Sequence, residues 1–237
     1  MTPLTITDLT FSFGAKQIFD HTTVALEHPG IYGLVAPNGS GKTTLLRLIT
    51  RLLPYRTGDI QIMGQPNTPQ HVFQNVAFLP SAEDLALSLT GKDYVDFIAS
   101  SHKVPRPRVK DALTQLEAIT YYKKRIGDYS LGMKQRLLLA LILMQDAPLV
   151  LMDEPLNGLD FDSLLLMRKL LRQIDADGRT LLLSTHNLPE LAQVGRDALF
   201  LEQHVLTPYH FNSGDALEAL YRERFTPSEA PAAKPVG

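Results

Sequence analysis

The stretch Ala36-Pro37-Asn38-Gly39-Ser40-Gly41-Lys42-Thr43-Thr44 constrains this chain more than any other. An apolar run, Ile31-Tyr32-Gly33-Leu34-Val35, precedes it, and Leu45-Leu46-Arg47-Leu48-Ile49 follows with helical spacing. Strand, glycine-rich loop and helix, in that order, form the context a phosphate-binding loop needs. Backbone N–H groups of such a loop turn inward around phosphate oxygens, and the helix adds its positive N-terminal end. Asn38, Gly39, Ser40, Gly41 and Thr44 fall in this cradle. Lys42 is expected to reach the β- and γ-phosphates, and the Thr43 hydroxyl to sit on Mg²⁺. The chain departs from the pattern at Ala36, where the first glycine usually stands. A β-carbon there restricts φ and predicts a less ideal loop.

The 237 residues suit one large domain, or a domain with a lobe, with enough chain for a substantial core. A formal net charge of -2 lacks the basic footprint of a nucleic-acid binder, so no nucleic-acid partner is expected. The sequence has no cysteine, which excludes disulfides and thiolate zinc sites. Met1-Thr2-Pro3-Leu4 carries no basic region and no apolar signal core. The longest uninterrupted apolar run, residues 137–144, is far short of the ~20 residues of a membrane span. A cytoplasmic chain that does not cross a membrane alone is the expectation.

Residues 4–9 alternate apolar and polar, as a half-buried strand does, and Val24-Ala25-Leu26 is a candidate partner. Thr57-Gly58-Asp59 reads as a turn before a strand at 60–63, and residues 75–79 as a strand stopped by Pro80. From about residue 85 to 147 the pattern turns helical. Residues 92–101 and 108–119 have apolar spacing near 3.6, and Pro105-Arg106-Pro107 must break any helix between them. A third helix is expected over 131–145. Residues 149–152 are a continuous apolar strand, as in a sheet covered on both faces, and residues 180–184 read as another buried strand, with a helix over 163–174 between them. Residues 226–237 carry no apolar payload and are expected to be disordered. The fold class that results is α/β: a P-loop NTPase core with a parallel sheet, a small antiparallel β subdomain and an inserted helical lobe, over residues 1–225.

Two further motifs carry chemistry. Leu149-Val150-Leu151-Met152-Asp153-Glu154-Pro155 puts two carboxylates at the C-terminal end of a buried strand, where open α/β sheets bind ligands. Asp153 is suited to holding Mg²⁺ and Glu154 to polarising an attacking water as general base. In Tyr129-Ser130-Leu131-Gly132-Met133-Lys134-Gln135-Arg136, Ser130 is a good N-cap, and a helix N-terminus with Gly132 exposed is also a second anion-binding site.

With these motifs in this order, the chain resembles the ATP-binding-cassette (ABC) ATPases over about residues 4–206. The family signature, usually Leu-Ser-Gly-Gly-Gln, is matched at Ser130 and Gly132; Leu131 and Met133 depart from it, as in many drug-export members. Leu156-Asn157-Gly158-Leu159-Asp160 looks like the family's D-loop and His186 like its switch histidine, directed at the γ-phosphate. Phe13 stands where the family stacks an aromatic on adenine; it is equally placed to be a core residue. Where the family has Gln after the strand ending at Leu79-Pro80, this chain has Ser81, a shorter Mg²⁺ ligand, with Glu83 and Asp84 close behind.

The resemblance implies ATP and Mg²⁺ as ligands, with Glu154 and His186 as catalytic residues. It also implies a homodimer or heterodimer in which one subunit's Ser130 and Gly132 complete the other's site. A separate membrane-spanning permease would hold the chain at the inner face of the cell membrane, with export as the direction. Two alternatives stay open. A soluble ABC ATPase acting on ribosomes or nucleic acid would often carry basic arms or tandem cassettes. A P-loop kinase of small molecules would leave Ser130 and the Asp153-Glu154 pair without a role. Leu85-Ala86-Leu87-Ser88-Leu89 is an apolar loop, either a docking surface for the permease or a local core under the lobe.

Overall fold

The computed structural model describes residues 1–225; the tail at 226–237 lies outside them. Two sheets share the core. In the smaller, β1 (Leu4–Phe13) pairs antiparallel with β2 (Lys16–Leu26) in the register Leu4↔Leu26 and Ile6↔Val24, as the alternation of residues 4–9 implied. The larger sheet begins with β3 (Ile31–Val35), which feeds the glycine loop and then α1 (Lys42–Ile49). β4 (Thr57–Ile62) returns to the small sheet on the other side of β1, and β5 (Gln65–Pro66) extends it. Leu4, Ile6, Leu9, Ile60 and Ile62 turn inward and meet Leu45, Leu46, Leu48 and Ile49 of α1 in one core. That packing fixes the small sheet against the phosphate-loop helix.

Thr57-Gly58-Asp59 is part of β4 rather than a turn before it. Gly58 has φ 97°, and a β-carbon there would lie 2.5 Å from the Leu9 Cα. The glycine permits a close approach of two strands, which on sequence alone looks like a turn. Asn75 ends α2 (Pro69–Asn75) instead of opening a strand. Only Val72 of that helix is buried, so its sequence has almost no apolar period to read.

β6 (Val76–Leu79) leads to the lobe. α3 (Gly91–Ser101) opens on a capping box between Thr90 and Asp93. α4 (Arg106–Gln115) begins inside the Pro105-Arg106-Pro107 segment, with Pro105 as N-cap and Pro107 in the first turn. These prolines start a helix rather than merely separating two, because first-turn N–H groups have no intrahelical partner to lose. α5 (Leu131–Met144) is the lobe's buried helix. Arg108 of α4 donates to the Leu143 carbonyl and pairs with Asp146 at 3.2 Å.

The chain then re-enters the core as β7 (Leu149–Asp153), α6 (Phe161–Ala176), β8 (Thr180–Thr185), α7 (Leu188–Val194), β9 (Asp197–Glu202), β10 (Val205–His210) and α8 (Gly214–Phe225). The six-stranded sheet runs β10-β9-β3-β8-β7-β6, parallel except for the edge pair β9–β10. β7 and β8 are buried at every position, as continuous apolar runs demand. The carboxyl ends of β3, β7 and β8 lie side by side through the pairs Val35↔Thr185 and Asp153↔Ser184. This brings three distant motifs to one edge. Among the described residues no helix is long and apolar enough to cross a membrane.

Candidate nucleotide site

The glycine loop is shaped by its own side chains and by β2. Ser40 Oγ donates to the Pro37 carbonyl at 2.7 Å. Gly41 has φ 118°, and a β-carbon there would come within 2.4 Å of the Ile18 side chain. Position 41 therefore needs glycine on both counts. Ala36 is fully buried and does not adopt positive φ. Its β-carbon fits the core, so the expected loss of ideality at this position does not arise. Lys42 is buried, and its Nζ donates to the Ala36 carbonyl at 2.8 Å and the Pro37 carbonyl at 3.4 Å. The ammonium is thus folded back over the loop, not extended to solvent.

The β7 end faces this loop. Glu154 Oε1 lies 3.5 Å from Lys42 Nζ, and Oε2 lies 3.2 Å from His186 Nδ1. The His186 contact is close but not aligned as a hydrogen bond, so Oε2 is a buried oxygen without a hydrogen-bond partner among the described residues. Glu154 also has φ 48°, a left-handed backbone that costs a non-glycine residue on the order of 1–3 kcal/mol. Its N–H donates to Ser184 Oγ at 2.9 Å, and the same Ser184 hydroxyl donates to Asp153 Oδ1 at 2.6 Å. Ser184 was not singled out from the sequence. Its only signal there was a hydroxyl following three leucines in a buried strand.

A cleft of ≈ 380 Å³ is lined by Phe13, Asn38, Gly39, Gly41, Lys42, Thr43, Thr44 and Glu154, with Lys16 and Ile18. A second, of ≈ 480 Å³, is lined by Thr43, Ser81, Glu83, Gln135, Asp153 and Glu154, among others. Thr43 and Glu154 belong to both. Phe13 is 49% exposed at the mouth of the first cleft, edge-on to Phe11 at 5.0 Å. It is therefore a cleft wall, not a core residue. Ser81 caps a short 3-10 turn by accepting the Glu83 N–H at 3.4 Å. Ser81 and Asp153 line the same cleft.

Ser130 and Gly132 line neither cleft. Ser130 is the exposed N-cap of α5 and accepts the Met133 N–H at 3.2 Å. The turn before it is braced by two tyrosines: Tyr121 Oη donates to the Met133 carbonyl at 3.0 Å, and Tyr129 Oη to the Tyr121 carbonyl at 3.1 Å. Burial pushes the Tyr121 hydroxyl up to about 12. Asp160 caps α6, and accepting the Ser163 N–H holds its carboxyl below the usual range.

The pattern that defines ABC transporters (ABC_tran) matches residues 19–157, more than half of the chain. The chain belongs to the ABC transporter family. It is an ATP-binding, ATP-hydrolysing subunit, and subunits of this kind work with a membrane permease. It is 30% identical over 211 residues to the zinc transport system ATP-binding protein TroB of Treponema pallidum, covering 85% of this chain and 79% of that protein. It is 29% identical over 192 residues to the bacitracin transport ATP-binding protein BcrA of Bacillus licheniformis, covering 79% of this chain and 63% of that protein. A solved structure described as the ATP binding subunit of an ABC transporter superposes with a TM-score of 0.84 at 23% identity, over 94% of this chain and 99% of that one. That last likeness concerns the fold.

The donor set suits Mg²⁺. Thr43, Ser81 and Asp153 offer hard oxygens along one cleft. Among the described residues no group of three or more His, Asp or Glu could hold a metal alone.

Proposed function

We propose that ATP binds along the two joined clefts and that two ATPase subunits, identical or related, close on it. The observation that carries this reading is that Glu154, just past the end of a buried strand, lies 3.5 Å from Lys42 Nζ through one carboxylate oxygen and 3.2 Å from His186 Nδ1 through the other. Lys42 and the N–H groups of Asn38 to Thr44 take the phosphates. Phe13 offers its exposed face to the adenine. Thr43, Asp153 and Ser81 hold Mg²⁺, which, when bound, neutralises phosphate charge. Glu154 accepts the proton of the attacking water, and His186 orients Glu154 and contacts the γ-phosphate. Phosphate and ADP leave, and the contacts that favoured the closed pair are lost.

Ser130 and Gly132 line neither cleft of this chain, so they serve the site of the second subunit. The lobe, with exposed Leu87 and Leu89, receives the permease and places the chain at the inner face of the membrane. The sequence Gly132-Met133-Lys134-Gln135-Arg136 favours export as the direction. A net charge of -2 argues against a nucleic-acid target.

The test is Glu154→Gln. The amide is nearly isosteric, so ATP binding persists while hydrolysis slows about 10²–10⁴-fold. An ATP-dependent dimer should then accumulate in sizing chromatography. Normal turnover by this variant would remove Glu154 as the base.

A further inference from the structure

We propose that Ser184 is a positioning residue of the ATPase site. Its single hydroxyl sets Asp153 as a one-oxygen ligand for the cation and holds Glu154 in its left-handed backbone. This rests on the site assignment above and concerns a residue outside the family's motifs.

The geometry is specific. Ser184 is fully buried, and its pair across the ladder is Asp153. A serine hydroxyl has one proton and two lone pairs. The proton goes to Asp153 Oδ1 at 2.6 Å, and a lone pair receives the Glu154 N–H at 2.9 Å. One oxygen thus ties together the two carboxylate residues whose roles differ.

Two consequences follow. First, Oδ1 is occupied by a short, charge-assisted hydrogen bond, which leaves Oδ2 as the oxygen without that donor. A carboxylate presented through one oxygen suits Mg²⁺, which takes few protein ligands in strict octahedral geometry. Ca²⁺ favours carboxylates that can use both oxygens. Second, the left-handed turn at Glu154 redirects the chain just past the strand end. Without a partner for its N–H, the residue would be freer to relax toward ordinary φ. That relaxation would carry the carboxylate away from Lys42 and His186, which lie 3.5 and 3.2 Å from it. β8 ends at Thr185 and His186 follows directly, so Ser184 and His186 meet Glu154 from one end of the same segment, one at its backbone and one at its side chain.

The test compares Ser184→Val with Ser184→Thr. The two have nearly the same shape and add the same bulk to a buried position, but only threonine keeps the hydroxyl. Binding of trinitrophenyl-ATP is titrated with Mg²⁺ and with Ca²⁺, and kcat is measured at saturating Mg²⁺. Loss of a group that orients a metal ligand typically costs 10–100-fold in affinity or activity. Ser184→Val should therefore raise the Mg²⁺ half-saturation about tenfold or more, narrow the preference for Mg²⁺ over Ca²⁺, and lower kcat at saturating Mg²⁺. Ser184→Thr should retain all three.

A purely structural hydroxyl would lower the melting temperature of Ser184→Val and leave its Mg²⁺ half-saturation equal to that of Ser184→Thr. That result overturns the proposal. Asp153→Asn serves as the control for the underlying assignment. If it leaves Mg²⁺ dependence intact, the site reading itself falls. If it abolishes that dependence while Val and Thr behave alike, only the role of Ser184 falls.

Discussion

The strand-end cluster and the helical lobe treat their functional groups in opposite ways. At the strand end, Asp153 and Lys42 are buried, and Glu154 is held through Ser184, Lys42 and His186. In the lobe, the groups left over from packing are exposed: Leu87 at 56%, Leu89 at 42%, Phe97 at 64%, and the cap Ser130. The first region is preorganised, with its electrostatics arranged before any ligand arrives. The second is rigid in its backbone but unfinished at its surface. On the proposed reading, the chain builds one half of a mechanism internally and addresses the other half to other molecules. Substitutions in the first region should therefore change chemistry in the isolated subunit, and those in the second should change assembly and leave chemistry alone.

The largest effect expected on the strand-end side after Glu154→Gln is that of Lys42→Ala. The ammonium is the cation folded over the loop, and hydrogen bonds to charged groups are worth about 1.5–3 kcal/mol each. Its removal should weaken ATP binding on the order of 100-fold, measurable by equilibrium titration of the folded variant. Affinity close to that of the parent protein would break the assignment of this loop to phosphates.

A smaller effect is expected at Ser81, which stands between the two regions. Its hydroxyl caps a local turn through a long 3.4 Å bond and shares a cleft with Asp153. Ser81→Ala should shift the Mg²⁺ dependence of ATP hydrolysis a few-fold, about 1 kcal/mol or less, as befits a neutral ligand among charged ones. Ser81→Gln should be tolerated. An unchanged Mg²⁺ titration for the alanine variant would assign Ser81 to the turn alone, with Glu83 the next candidate in the same cleft.

The sequence exposes the strand-end half far better than the lobe half, for physical reasons. Strand, glycine loop and helix leave a local signature in residues 31–49, and the buried parallel strands at 149–153 and 180–185 are built around the apolar runs 149–152 and 181–183. Gly58 misled because one residue type serves both turns and close strand contacts. Helix α2 was invisible because one buried residue gives no period. Ser184 was illegible because its role lies in a cross-strand pair with Asp153, 31 residues away in the chain. Ala36 looked like a defect only because its φ, which decides the matter, is not written in the sequence. The loop at residues 85–89 was legible as apolar, but which leucine faces inward was not.

That loop supplies the smallest expected effect and the sharpest use of the contrast. Leu85 is 4% exposed and packs in the lobe core, while Leu87, two residues on, is 56% exposed. The backbone between them is fixed: Ala86 N–H donates to Tyr94 Oη at 2.9 Å, and Gly127 N–H to the Leu87 carbonyl at 3.0 Å. Position 87 is thus presented on a braced loop whose shape does not depend on its side chain. Leu85→Ala should cost about 2–5 kcal/mol of stability through a cavity. Leu87→Glu should change stability by no more than about 0.5 kcal/mol, as exposed substitutions do. It should also leave the ATPase rate of the isolated subunit unchanged. What Leu87→Glu should lose is co-purification with the permease, because a charge placed at the centre of an apolar contact must be desolvated without a partner. A variant that is stable, active and still bound to the permease would move the docking surface elsewhere on the lobe. The next apolar candidate is Phe97 on α3, at 64% exposure.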